Sequence, residues 1–156
     1  MDKFTLLIIL ALSLLLAGCG VVQANQPTPT SAGTETGPVL DESLSRTDEQ
    51  GAISVTVTPL NFEAPGKTLD FEVVLDTHSV DLGMDLALLA KLATNAGLSA
   101  PASKWEAPRG GHHVQGTLVF PSTVDGKALL DGASRLTLTI KDLDGIERVF
   151  SWEISG

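Results

Sequence analysis

The chain has a single cysteine, no tyrosine and three histidines among its 156 residues. One cysteine cannot form an internal disulfide, so a folded region must hold together through its apolar core and its hydrogen bonds. Basic residues are also scarce. Ten Lys and Arg stand against nineteen Asp and Glu, and no basic run interrupts the net charge of −9. That balance argues against a nucleic-acid binder, which needs a basic footprint. No Gly-rich phosphate loop leads into a helix, and no Gly-x-Ser-x-Gly elbow presents a nucleophile. Carboxylates are too scattered to single out a glycosidase pair. The metal signatures built on a Cys pair or on His-x-x-x-His are missing too.

What the chain does have begins at its first residues. Met1-Asp2-Lys3 is followed by an apolar run from Phe4 to Leu16, broken only by Thr5 and Ser13. A short charged start, an apolar stretch and small residues at its exit are the parts of a secretory signal. The exit reads Leu16-Ala17-Gly18-Cys19. This tetrad resembles the lipobox of bacterial lipoproteins, position for position. The resemblance covers only the first twenty or so residues. It implies a diacylglyceryl group on the Cys19 sulfur, removal of residues 1–18 as a signal peptide, and acylation of the new amino end. Two or more acyl chains, at about 0.8 kcal/mol per buried methylene, anchor stably where one chain does not. The alternative is an uncleaved membrane anchor, since Phe4 to Val22 approaches the roughly 20 residues that span a bilayer. Both readings place the remainder on the extracytoplasmic face of the membrane.

From Gln23 to about Gln50 the composition turns to Pro, Thr, Ser, Gly and Glu, with hardly a large apolar side chain. Such a segment buries too little surface to offset the entropy of ordering it, so residues 19–50 are expected to be a lipidated Cys and a disordered linker. As a flexible coil it would reach on the order of 30 Å. Glu35, Asp41, Glu42, Asp48 and Glu49 outnumber Arg46, which favours extension away from an anionic lipid surface.

Residues 51–156 change character again. Ile53, Val55 and Val57 alternate with polar residues, as do Leu69, Phe71, Val73 and Leu75, then Leu136, Leu138 and Ile140. This is the period of half-buried strands. Further strands are expected from near His113 to Phe120 and from Ile146 to Glu153, the last after an Asp144-Gly145 turn. Leu82 to Leu92 fits helix and strand equally, and is assigned a helical turn at Asp81 to Leu86 and then a strand to about Thr94. Asn95-Ala96-Gly97 suits a hairpin loop. Leu98 to Trp105 reads as a strand that Pro101 confines to an edge. About seven short strands with turns between them predict an all-β, immunoglobulin-like sandwich. In such a sandwich the stem of Arg148, which shares parity with Phe150 and Trp152, is expected at the rim.

Chemistry concentrates at His78, His112 and His113. His78 closes the second expected strand, and the other two open the fifth after Arg109-Gly110-Gly111. Imidazoles from two segments, with Asp76 and Asp81 close by, are a donor set suited to copper or zinc. Successive strand residues face opposite sides, so parity pairs His78 with His113 and Asp76 on the outer face. His112 then carries inward parity unless the Gly-rich start of the strand is irregular. Trp105 is expected to wall one side. A competing reading has these imidazoles capping loop backbone and packing on Trp105. The domain is also similar to small exported modules that pair a Thr-His-Ser-Val-Asp-Leu segment, here Thr77 to Leu82, with a later Trp and a Gly-Gly-His-His, here Gly110 to His113. That resemblance implies no settled activity.

The sequence thus points to a membrane-anchored binding module, with a divalent transition metal as its sharpest ligand. The alternative is an interaction or structural lipoprotein that meets another envelope protein. An enzyme is the least supported class. Substituting Cys19→Ser should abolish incorporation of labelled palmitate and leave the precursor uncut. Labelling that persists in the variant would exclude lipid attachment at this residue.

Overall fold

The computed structural model describes residues 41–154. The expectations for the apolar leader, for Leu16, Ala17, Gly18 and Cys19, and for the spacer up to residue 40 lie outside the described residues. Among the described residues no helix is long and apolar enough to cross a membrane.

Alternating apolar residues form strands wherever the period-two pattern is clear. In β2 (Ile53–Pro59), β3 (Thr68–Thr77) and β7 (His113–Pro121), the residues Ile53, Val55, Val57, Leu69, Phe71, Val73, Leu75, Val114, Leu118 and Phe120 are buried. With the short β1 (Arg46–Asp48) and β6 (Lys104–Glu106) they build a five-stranded sheet in the order β1-β2-β3-β7-β6. The second sheet runs β11-β10-β4-β5, from β4 (Ala90–Thr94), β5 (Ser99–Pro101), β10 (Arg135–Leu143) and β11 (Ile146–Glu153). All pairings are antiparallel. The order is that of an immunoglobulin-like sandwich, with β2, β3, β7 and β6 on one side and β4, β10 and β11 on the other. The core lies between the sheets, where the buried faces of both meet.

The structure differs from the sequence reading in four places. The expected strand from Leu98 to Trp105 is two strands on different sheets. Ala102 N–H donates to Ala90 O (3.0 Å) and the next residue, Ser103, donates to Val119 O (2.8 Å), so the chain crosses the sandwich between them. The helical turn lies later than expected, a 3-10 turn at Leu86–Leu88 that Asp85 caps through Ala87 N–H (3.0 Å). A small hairpin, β8 (Thr123–Val124) and β9 (Lys127–Ala128), turns at Asp125-Gly126. Both turn residues have positive φ (50° and 77°), the same conformation as at Asp144-Gly145 (55° and 72°).

The fourth difference moves the edge of the domain. Residues 41–50, expected to be linker, are part of the fold: a 3-10 turn at Glu42–Leu44 leads into β1, which pairs with β2. Arg148 explains why. It is fully buried, not at the rim, and its guanidinium meets the Asp48 carboxylate and the carbonyls of Gln50 and Ile53. Trp152 Nε1–H donates to Leu44 O (2.6 Å). Two long-range side chains thus hold a segment whose own composition is that of a spacer. With no disulfide available, aromatic contacts hold the centre: Phe71 meets Phe62 and Phe120 edge to face at centroid distances of 5.4 and 5.6 Å, and Trp152 at a tilt at 5.5 Å. Each such pair adds about 1 kcal/mol beyond its buried area.

Burial pushes the Asp48 carboxyl up, but the Gln50 backbone N–H, the Gln50 side-chain amide and Arg148 outweigh it and hold the group below its ordinary value. A depressed carboxyl contributes stability above its unfolded pKa, and that contribution is lost as pH falls through the folded value. Replacing Arg148 by Ala strands Asp48 and two carbonyls. We expect a loss of about 3 kcal/mol in urea denaturation at neutral pH, with Asp48→Asn flattening the acid limb of the stability profile. A cost under 1 kcal/mol would show that the buried cation does not hold the segment.

Candidate functional site

The site is built at one end of the β3–β7 ladder. Register aligns Leu75 with Val114 in the core and, one step further, Asp76 with His113 on the outer face. Parity therefore puts these two side chains side by side, and the His113 Nδ1 to Asp76 Oδ1 distance is 2.5 Å. Ser54 of β2 is the register partner of Asp76 on its other side, giving a cross-strand row Ser54–Asp76–His113. The carboxylate sits in the middle of this row. A serine relay requires the imidazole between hydroxyl and carboxylate, so the row is not a nucleophile–base arrangement.

Beyond the ladder the two chains stay stitched together. Thr77 N–H donates to His112 O (2.9 Å), Leu82 N–H to Gly111 O (3.0 Å) and Gly110 N–H to Leu82 O (3.3 Å). The Thr77 hydroxyl donates to Ala52 O (2.7 Å) and accepts from the N–H groups of Ser79 and Val80 (both 3.3 Å). This turn ends β3 and sends His78 out to solvent. Gly110 and Gly111 have φ of +81° and +98°, in the left-handed region that favours glycine. The irregular path they create ends the alternation before His113. His112 is exposed as a result, against the inward parity that counting back along the strand implies.

All three histidines line one shallow hollow of about 470 Å³. Asp76, Thr77 and His78 come from the end of β3, and His112 and His113 from the start of β7. Glu49, Gly51, Ala52 and Ser54 from the β1–β2 hairpin form the other wall. Neither Glu49 nor Ser54 stands out in the sequence: Glu49 follows β1 within acidic spacer composition, and Ser54 reaches the site only through the pairing of β2 with β3.

Two expected members take other roles. Asp81 does not line the hollow; its Oδ1 accepts the Gly111 N–H at 2.8 Å, so it fastens the loop that carries His112. A side chain at Gly110 would place its Cβ 3.2 Å from that same oxygen. Trp105 is not a wall either. It pairs with Leu118 in the ladder and packs against the core, close enough that a Cβ on Gly116 would lie 2.9 Å from its ring. Among the described residues no three His, Cys, Asp or Glu side chains already converge as a metal-holding group. A second hollow, of about 380 Å³, is lined by Leu44, Pro59, Leu60 and Phe62 among others, and has no imidazole.

No protein-family model matches the chain, and no curated protein is significantly similar to it. Among solved structures, a crystal structure of a DUF4426 family protein from Pseudomonas aeruginosa superposes with a TM-score of 0.41 at 11% identity, covering 72% of this chain and 95% of that one.

Proposed function

We propose that this chain is an extracytoplasmic lipoprotein, anchored through lipid on Cys19, whose sandwich is a binding module with the histidine hollow as its binding end. The ligand class is a divalent transition metal, copper(II) or zinc. One observation carries this reading: every histidine of the chain lines the same hollow, and one is already bonded to a carboxylate. His113 and His78 are the imidazole donors on the outer face, His112 stands beside them on the glycine loop, and Glu49 is a carboxylate on the facing wall. Imidazole and carboxylate together suit zinc or copper(II) better than calcium or magnesium, which take oxygen alone. The sandwich carries the donors on strand ends and on loops stitched to them by backbone hydrogen bonds.

A second reading has the same anchored module meeting another envelope protein with no metal.

The two readings separate in a calorimetric titration of the full chain in detergent with zinc and with copper(II). Metal binding predicts about one ion per chain. His113→Ala and His78→Ala should each weaken affinity at least tenfold and leave the thermal transition in place, since both side chains are exposed. An absence of heat, together with no retained metal after dialysis, would remove the metal reading in favour of the interaction module.

A further inference from the structure

We propose that Asp76 is a positioning residue rather than a metal ligand: it fixes His113 as the Nδ1–H tautomer and leaves Nε2 as the nitrogen offered to an ion in the hollow. The second half rests on the metal reading above; the first half does not. The assignment starts from the 2.5 Å contact between His113 Nδ1 and Asp76 Oδ1. A carboxylate can only accept, so the ring nitrogen facing it must donate. In a neutral imidazole a proton on Nδ1 puts the free lone pair on Nε2, on the far side of the ring from Asp76.

The backbone makes the adjacency behind this contact a property of the fold. Asp76 and His113 are register partners on adjacent antiparallel strands, with both side chains on one face. Leu75 and Val114, the preceding register pair, are buried, so a slip of register would expose core to solvent. The pair itself is exposed, 64% at His113 and 55% at Asp76, so it adds little to stability. Its consequence is orientation. A ligating imidazole whose other nitrogen donates to a carboxylate is a recurrent outer-shell arrangement at metal sites, and losing the carboxylate lowers affinity by about 10–100-fold.

The test uses the full chain, isotope-labelled, in detergent micelles. Long-range ¹H–¹⁵N spectra of the metal-free protein, recorded with the ring neutral, should show His113 as the Nδ1–H form. Asp76→Ala should shift it toward Nε2–H. Asp76→Asn should retain Nδ1–H, because the amide oxygen still accepts. A wild-type ring in the Nε2–H form, or a tautomer indifferent to Asp76→Ala, overturns the assignment.

Zinc titration then distinguishes position from ligation. Asp76→Ala should lose about 10–100-fold in affinity, and Asp76→Asn should recover most of it. Equal losses in both variants would make Asp76 a ligand and overturn the proposal. A wild-type chain that binds no zinc yet shows the Asp76-dependent Nδ1–H form supports the tautomer assignment and overturns metal binding alone.

Discussion

The pairing of β3 with β7 is the constraint on which the rest of the structure depends. Its nine register partners run from Thr68 with Pro121 to Asp76 with His113. Along it, Leu69, Phe71, Val73 and Leu75 meet Phe120, Leu118, Gly116 and Val114 across the ladder on the core side. Because side chains alternate strictly, the register that buries this set also decides what stands outside. Asp76 and His113 are neighbours for the same reason that Leu75 and Val114 are. The candidate site is thus a by-product of core packing, carried one residue past the last buried pair.

Gly116 shows how closely that ladder is packed from its other side. A Cβ there would lie 2.4 Å from Ala107 Cβ and 2.6 Å from Glu106 O, so β6 approaches β7 only because the position has no side chain. The approach ties the chain that follows Trp105 to the start of β7, where the glycine loop carries His112. Asp81, reaching across from the β3 side, closes the same loop. The histidine end is therefore held from both flanks, by packing on one and by a charged hydrogen bond on the other.

At its N-terminal side the fold depends on a different interaction. Arg148 is a buried cation in a chain with a large acidic excess, and it lies on the parity of Phe150 and Trp152. An unpaired cation there would be costly, so the acidic segment around Asp48 is drawn in to meet it. That recruitment adds β1 to the sheet and brings Glu49 to the hollow. A stretch with spacer composition becomes one wall of the candidate site because a single strand residue needs its carboxylate and carbonyls.

What the sequence by itself determined follows from short-range alternation. Period-two runs identified β2, β3, β7, β10 and β11, and Asp144-Gly145 marked the last turn, because each signal is complete within a few consecutive residues. Parity along β3 and β7 also put Asp76, His78 and His113 on the outer face. Only the tertiary structure decided the remainder. The crossing between Ala102 and Ser103 depends on which strands compete for those N–H groups, and the ordering of residues 41–50 depends on a guanidinium about a hundred positions away. His112 joins the hollow through positive φ at two glycines, and Asp81 is diverted to Gly111 by a loop contact. The crossing and the recruitment of residues 41–50 rest on partners far apart in sequence, so no local pattern of residues encodes them.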